Sequence, residues 1–293
     1  MATRNANLQA SASSLANFKN WATWISGCFS AFGWTQTSDT GQVNWSTIAS
    51  VPTYGTTVYE VWKMADTLQS TTPCFVKVYY CNSNYTGPLF YFDIGGASDG
   101  AGNITGTKTS FLNPQTYPVN SQCCTDQGAN TYACWASGDV NRISINMWQS
   151  YGAGSCVFTI ERSHNSAGAD TGEFLTCAWG NQNGYGYAVH LLGTLIGNQV
   201  QGPYPLPSFT IGMSSGSFNG TVSANPIWPF IGQVHNPLLG MLCCQAADIA
   251  EGAQVTVTHY GASHTYQATK QNNIISCMTR TNNVAGGLLC RYE

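Results

Sequence analysis

The sequence predicts a mainly β protein, with antiparallel β-sandwich-like lobes and an N-terminal amphipathic helix. Two observations carry this prediction. Near the N-terminus, apolar residues recur at spacings of three and four, as they do on one face of an α-helix. Beyond that segment, short runs of aromatic and β-branched residues alternate with turns rich in Gly, Asn, Ser and Pro, which is typical of connected strands.

The predicted helix covers residues 13–32. Gly27 lowers the helix propensity in its middle, and Gly33 is a natural C-terminal stop because glycine readily adopts the left-handed conformation. The apolar stripe of the helix consists of Leu15, Phe18, Ala22, Ile25, Phe29 and Phe32.

The rest of the chain is predicted as strands and turns. Residues 66–70 are predicted as a short helical turn, 82–87 and 163–172 as loops, 187–196 as a strand or a short helix, and 202–207, with three prolines, as an extended crossing segment. The predicted strands are 58–64, 74–81, 89–94, 143–148, 155–162, 174–179, 238–244, 254–260, 265–269 and 287–292.

Two lobes are predicted, a helix plus first β lobe at 1–115 and a second β lobe at 116–293. The boundary is placed in residues 113–138, which contain two prolines, two glycines and three cysteines but little periodicity. One continuous domain is the alternative.

Charged residues are scarce in this chain. The 10 basic and 13 acidic residues make up 8% of 293 residues, against roughly 25% in ordinary globular proteins. The net charge of -3 leaves no basic stripe for nucleic acid. Because no signal peptide and no stretch of roughly 20 apolar residues is visible, we expect synthesis in the cytoplasm without membrane insertion.

The twelve cysteines include no C-x-x-C pair, so neither a zinc site nor a thioredoxin-type motif is expected. We predict that they act mainly as small buried apolar groups, with late disulfides as the alternative. Four Asn-x-Ser/Thr sequons, at Asn44, Asn84, Asn103 and Asn219, are predicted to be unmodified surface positions.

Several residue patterns have the spacing of a chemical site but an unsuitable context. Ser214 lies in a G-x-S-x-G pattern, yet turn formers and Pro226 follow where a nucleophile elbow needs a helix. Asp93, Asp99 and Asn103 lie in a Gly-rich run without the closing Glu of a calcium loop. We therefore predict no catalytic, cofactor-binding or metal-binding residue.

Histidines, carboxylates and aromatics supply the remaining candidates. His259 and His264 lie close in sequence, but no neighbour completes a metal-ligand set. Exposed tyrosines are candidates for contacts with a sugar or a subunit. The candidate glycosidase carboxylates are Glu161, Asp170, Glu173, Asp248 and Glu251, and the candidate contact tyrosines are Tyr85, Tyr185 and Tyr187.

Nine short blocks are spread along nearly the whole chain: FGWTQTSDTGQ (32–42), YEVWKMAD (59–66), PCFVK (73–77), GGASDGAGNITG (95–106), IERS (160–163), ADIAEG (247–252), THYG (258–261), TY (265–266) and RYE (291–293). Together these blocks resemble a family of uncharacterised virion structural proteins from tailed bacteriophages. The cysteines at Cys74, Cys81, Cys243 and Cys244 depart from that pattern, in which small or apolar residues are expected.

The resemblance implies a noncatalytic, assembled part of a phage particle, with no catalytic residue or cofactor to carry over. We expect a symmetric homo-oligomer that contacts other virion proteins, is located in the virion, and belongs to the tail or the host-facing apparatus. The alternatives are a capsid decoration protein, a receptor- or carbohydrate-binding module that contacts the host surface, and a hydrolase of cell-envelope polymers.

Overall fold

The fold class predicted from the sequence is confirmed: strands paired in antiparallel sheets predominate, and one α-helix lies near the N-terminus. The computed structural model describes residues 1–9, 13–83, 87–106, 109–111, 131–149, 154–165, 167–182, 185–187, 192–193, 216–218, 222–226, 230–231, 234–235, 239–245, 253–259, 262–268 and 286–292. None of the helices in these ranges is long and apolar enough to cross a membrane.

Apart from short 3-10 turns at Tyr54–Thr56 and Thr67–Ser70, the described elements are one helix and 22 strands. In chain order they are β1 (Ala2–Leu8), α1 (Leu15–Ala31), β2 (Thr35–Gln36), β3 (Val58–Lys63), β4 (Phe75–Ser83), β5 (Gly87–Gly95), β6 (Ala97–Ser98), β7 (Ile104–Thr105), β8 (Thr109–Phe111), β9 (Tyr132–Asp139), β10 (Arg142–Gln149), β11 (Gly154–His164), β12 (Asp170–Gln182), β13 (Tyr185–Tyr187), β14 (Leu192–Gly193), β15 (Gly216–Phe218), β16 (Val222–Pro226), β17 (Phe230–Ile231), β18 (Val234–His235), β19 (Met241–Gln245), β20 (Gln254–His259), β21 (Ala262–Ala268) and β22 (Gly286–Arg291).

Helix α1 follows its sequence signals closely. The Ser14 side chain accepts a hydrogen bond from the Asn17 backbone N–H at 3.3 Å, which satisfies one of the free amides of the first turn. Gly33 follows the helix with a φ of 87°, a left-handed conformation that favours glycine. Gly27 lies beneath the guanidinium of Arg4, and a Cβ at this position would collide with it.

Three antiparallel sheets organise the strands. The central sheet has the order β1-β9-β10-β11-β12-β13, with β14 also paired to β12. The N-terminal sheet has the order β2-β3-β4-β5-β8, and the C-terminal sheet has the order β15-β16-β19-β22-β21-β20. Two small sheets pair β6 with β7 and β17 with β18.

Strand β1 was not predicted from the sequence. Its seven residues pair with β9 from Ala2 opposite Gly138 to Leu8 opposite Tyr132, so the N-terminus joins a sheet built from residues beyond 131. The division at residues 115 and 116 stays a prediction, while the described core crosses that point.

One apolar core joins α1, the N-terminal sheet and one face of the central sheet. Phe29 of α1 stacks on Trp62 of β3, with ring centroids 5.5 Å apart. Phe92 of β5 contacts Phe158 of β11 at 4.8 Å between centroids. This side of the central sheet therefore packs in the ordinary way, by burying apolar surface.

Candidate functional site: the buried polar face of the central sheet

The opposite face of the central sheet is polar, and it is nevertheless buried. Side chains alternate along β10, so Ile143, Ile145 and Met147 enter the apolar core while the residues between them point the other way. The strand register places Ser144 directly opposite both Ser137 and Thr159. The buried residues of this polar face are Ser137, Arg142, Ser144, Asn146, Thr159 and Glu161.

Glu161 joins the polar face to the C-terminal part of the chain. Its Oε1 accepts a hydrogen bond from the Leu239 backbone N–H at 2.7 Å, and its Oε2 accepts one from the Gly240 N–H at 2.6 Å. The Thr159 hydroxyl donates to Oε2 at 3.3 Å. A Cβ at Gly240 would lie 2.5 Å from the Ser144 Oγ, so only glycine fits this approach.

Further hydrogen bonds hold the C-terminal sheet on the same face. The Ser137 hydroxyl of β9 donates to the Arg291 carbonyl of β22, and within the C-terminal part of the chain the Tyr266 hydroxyl donates to the Leu239 carbonyl at 2.9 Å. At the border, the Asn5 side-chain amide donates to the Tyr292 hydroxyl at 3.3 Å. The two sheets are thus joined by polar contacts whose geometry is specific.

Two arginines bring positive charge to this junction. Burial, and after it the positive charge of the neighbouring Arg142, lowers the pKa of Arg291 to about 10. Arg142 Nη2 pairs with Asp139 Oδ2 at 2.9 Å, and Arg291 Nη2 lies 2.7 Å from His264 Nδ1. Among the described residues, neither polar atom of the Asn146 side chain has a hydrogen-bond partner.

The carboxylates proposed as a glycosidase pair lie in different surroundings. Glu161 is fully buried and holds two backbone N–H groups, whereas Asp170 opens β12 and lies 3.0 Å from His164 Nε2. The hydrogen bond from His164 holds the pKa of Asp170 below its ordinary value. Glu173 lies in β12, and Asp248, Glu251 and Ser214 lie outside the described residues.

Of the candidate calcium residues, Asp99 and Asn103 are in contact and Asp93 lies apart from them. The Asp99 carboxylate accepts hydrogen bonds from the Ala101 N–H at 2.8 Å and from the Asn103 side-chain and backbone N–H groups at 2.7 and 2.9 Å. These bonds, chiefly that from the Asn103 side chain, lower the pKa of Asp99. Asp93 instead lies on β5 and accepts a hydrogen bond from Tyr79. Within the described ranges, no three His, Cys, Asp or Glu residues form a metal-binding group.

The histidine candidates occupy one hairpin, whose second strand, β21, begins three residues earlier than the predicted strand at 265–269. His264 lies within β21, opposite Val257, and not in the turn, while His259 lies opposite Ala262. Since His264 Nδ1 contacts Arg291, this nitrogen already has a partner. Tyr185 and Tyr187 lie in β13, and Tyr85 lies outside the described residues.

Cysteine burial agrees with the prediction as far as the structure describes it. Cys28, Cys74 and Cys134 are free thiols in the apolar core, and Cys81 is buried in the same core. Burial raises the pKa of Cys28 and of Cys74 to about 12. These four thiols therefore have the character of small apolar side chains.

Sequence analysis missed Glu60, a buried carboxylate at the junction of α1 and the N-terminal sheet. It accepts hydrogen bonds from the Ser26 hydroxyl at 2.9 Å, the Trp45 indole at 2.8 Å, the Trp62 indole at 3.2 Å and the Tyr80 hydroxyl at 3.1 Å. The sequence contained a signal for its burial, because Glu60 lies two residues before Trp62 and therefore on the same, apolar face of β3.

Sequence analysis also missed the ion pair between Arg162 and Asp66. Arg162 is fully buried, and its guanidinium contacts the Asp66 carboxylate at 2.7 and 3.0 Å in a two-pronged arrangement. It also donates to the Thr72 carbonyl at 2.8 Å and to the Gly172 carbonyl at 3.2 Å. A single arginine thereby joins β11, β12 and the segment before β4.

Comparisons with protein families, with curated proteins and with solved structures find no match to this chain. The site therefore rests on its own geometry. Its buried carboxylate, Glu161, accepts hydrogen bonds from the Leu239 and Gly240 backbone N–H groups, which belong to the C-terminal part of the chain. These hydrogen bonds hold the C-terminal sheet against the polar face of the central sheet.

Proposed function

We propose that this chain is a noncatalytic structural component of a tailed-phage virion, which assembles as a symmetric oligomer in the tail or the host-facing apparatus. The observation that carries the proposal is where the scarce charges lie. At least seven of the 23 charged residues are buried: Glu60, Lys77, Asp93, Arg142, Glu161, Arg162 and Arg291.

Charge used inside the fold leaves even fewer charged groups on the surface than the composition suggests. Removing charges from water is costly, so a surface poor in them loses less free energy when it is buried against another subunit. The resemblance of the sequence blocks to virion structural proteins supports the same assignment. The noncatalytic part of the proposal is supported by Glu60 and Glu161, whose carboxylate oxygens are occupied by structural hydrogen bonds.

Fractionation of purified virions tests the proposal. We expect the chain in intact particles and in isolated tails, at a copy number that is a multiple of the local symmetry. Its presence in tailless heads and absence from tails would support the capsid decoration alternative. Absence from all particle fractions would overturn the virion assignment.

A receptor- or carbohydrate-binding module is the second candidate, and the tyrosine patch, Tyr59, Tyr79 and Tyr91, favours it. Tyr79 and Tyr91 stack with centroids 4.4 Å apart, and Lys77 Nζ lies 3.8 Å from the centroid of the Tyr59 ring. Tyr59 and Tyr79 are partly exposed, so they offer aromatic contact area.

Adsorption of the free protein to host cells tests this second candidate. We expect Tyr79→Ala to lower adsorption if the tyrosine patch binds the surface, while Val140→Ala, an exposed change in the β9–β10 turn, has no effect. Equal adsorption by both variants, or none by the wild-type chain, would contradict a role for the patch.

A further inference from the structure

We propose that a second copy of this chain pairs with the outer edge of β1, so that two central sheets join antiparallel across a two-fold axis. This inference rests on the proposed function and deepens it, because it names the surface through which copies associate. The partner of β1 is therefore β1 of the second copy. The two strands recognise each other through backbone hydrogen bonds and through the side chains that face each other across the new pair.

Strand β1 has the features of an edge that accepts another strand. It is the outermost strand of the central sheet, and within the described residues no strand pairs with its outer side. Its pairing with β9 is uninterrupted from Ala2 to Leu8, without a bulge. It has neither proline nor lysine, and the guanidinium of its one charged residue, Arg4, packs over Gly27 of α1. Of the usual devices that block edge pairing, proline, lysine and a bulge are thus missing from β1, and the charge of Arg4 points toward α1 and away from an incoming strand.

The other edges of the three large sheets differ from β1. The edge strands β2, β8, β13 and β15 are two or three residues long, whereas β1 has seven residues. Strand β20 has six residues, but it contacts β15, so the two edges of the C-terminal sheet approach each other. Among the edges that the structure describes, β1 is therefore the longest regular template.

Strand length and charge together select one register for this pairing, because Asn5 is the middle residue of Ala2–Leu8 and an axis there pairs all seven residues. Exposed side chains alternate with half-buried ones along β1, and a two-fold axis at Asn5 keeps both sets on their own faces. An axis at Arg4 would place two guanidinium groups directly opposite each other, which destabilises a strand pair. In the Asn5 register the facing pairs are Ala2 with Leu8, Thr3 with Asn7, Arg4 with Ala6, and Asn5 with its own copy.

Disulfide trapping tests the register. Opposed Cβ atoms in an antiparallel pair lie about 4.5–5.5 Å apart, close enough for a disulfide after a small shift. With an added oxidant, we expect Asn5→Cys to form a covalent dimer. Thr3→Cys alone is the matched control, because two copies of position 3 lie four residues apart, about 13 Å. A mixture of Thr3→Cys and Asn7→Cys chains is expected to cross-link, and the wild-type chain shows the contribution of its twelve native cysteines.

Charge reversal tests the pairing without a covalent bond. Thr3 and Asn7 are both exposed, so charged side chains there leave the isolated fold intact. In T3K/N7K, like charges face each other twice, and we expect association to weaken by about ten-fold or more. In T3K/N7E, opposite charges face each other, and dimer formation measured by analytical ultracentrifugation is expected to remain, with a salt dependence that the wild type lacks.

The outcomes separate this inference from the proposed function. A wild-type chain that stays monomeric, or an oligomer that T3K/N7K leaves unchanged and Asn5→Cys fails to cross-link, overturns pairing through β1. If the chain is present in virions but Asn5→Cys is not cross-linked there, only the β1 pairing fails. If Asn5→Cys cross-links in solution and the chain is absent from particles, only the virion assignment fails.

Discussion

The two faces of the central sheet are built from the same strands but are buried in different ways. On one face, Ile143, Ile145 and Phe158 pack against α1 and the N-terminal sheet. On the other, Ser144 and Glu161 lie beneath the C-terminal sheet, which they contact through hydrogen bonds. Both faces exclude water, although only one of them is apolar.

This difference shows that two layers of one protein can be held by forces that differ in how well they tolerate a changed side chain. Apolar packing is non-directional and depends on the area and volume buried. A buried polar layer contributes to stability only where each donor meets an acceptor, and a missing partner costs the full desolvation of the group left behind. We therefore expect the apolar side to dominate the free energy of unfolding and the polar side to control the attachment of the C-terminal sheet.

The largest effect is expected on the apolar side, from Phe158→Ala. Phe158 is fully buried and contacts Phe90 at 5.5 Å and Phe92 at 4.8 Å between ring centroids. Its truncation leaves a cavity, and such changes lower the free energy of unfolding by about 3–5 kcal/mol. Urea unfolding of the variant measures this loss. Val140→Ala, an exposed truncation, is the control and is expected to change stability by less than about 0.5 kcal/mol; equal effects of the two changes would contradict the assigned core.

The corresponding change on the polar side is Glu161→Gln. A glutamine amide presents only one acceptor oxygen, so either the Leu239 or the Gly240 N–H loses its buried partner. We expect a loss of about 1–3 kcal/mol, together with faster hydrogen exchange in β19 and β22 than in β3, β4 and β5. Uniform loss of protection in all three sheets would show that Glu161 does not act on the C-terminal sheet in particular.

Asn146→Leu is expected to act in the opposite direction. Because neither polar atom of this fully buried amide is hydrogen bonded to a described residue, its burial carries an uncompensated desolvation cost. An apolar side chain of similar shape removes that cost and raises the free energy of unfolding by about 1 kcal/mol. Thermal unfolding measures the change, with Ser144→Ala as the control that removes a hydrogen-bonded group. A destabilised Asn146→Leu chain would indicate that the amide makes a necessary polar contact.

The elements that sequence analysis predicted well are those whose signals are local. The stripe from Leu15 to Phe32 and the stop at Gly33 place α1 within one or two residues of its observed ends. Strand β1 was missed because its residues are small or polar, and its pairing with β9 depends on a partner more than 120 residues away. Local propensity contains no information about that partner.

The candidate site shows even more clearly that local sequence signals do not identify distant contacts. The alternation of apolar and polar residues in β10 predicts a strand with two different faces, but it does not say what covers the polar one. Glu161 was identified as a candidate carboxylate from its residue type, and its contact with Gly240, 79 positions away, is a tertiary fact. Residue type indicated which groups are able to do chemistry, and only the packing showed that this one holds two layers together.

A smaller effect is expected from pH at the edge of the polar side. The hydrogen bond from His164 lowers the pKa of Asp170 below 3.8 in the folded chain. A lowered carboxyl pKa stabilises the fold above the unfolded-state value, and this contribution is lost as the pH falls through the folded-state value. Since Asp170 is partly exposed, the contribution is less than about 1 kcal/mol.

Urea midpoints across the acid range measure this contribution. We expect Asp170→Asn to be less stable than the wild type near neutral pH and the difference to disappear at pH values well below 3.8. His164→Gln tests the cause, since it removes the imidazole N–H that donates to the carboxylate but leaves the carboxylate in place. A difference between wild type and Asp170→Asn that does not change with pH would contradict the coupling to His164.

The smallest expected effect is on the alkylation of buried cysteines, which distinguishes the two faces of the central sheet. Cys28, Cys74, Cys81 and Cys134 all lie in the apolar core, where burial excludes reagents and raises the pKa of Cys28, Cys74 and Cys134. We expect these four thiols to resist alkylation in the native chain and to react fully in denaturant, as read by mass spectrometry. In Glu161→Gln they are expected to stay protected, because loosening the polar side leaves the apolar side closed, whereas Phe158→Ala exposes them more often through partial opening. Alkylation of these cysteines in Glu161→Gln at the rate seen in Phe158→Ala would show that the two faces open together, and that the central sheet does not separate two independent layers.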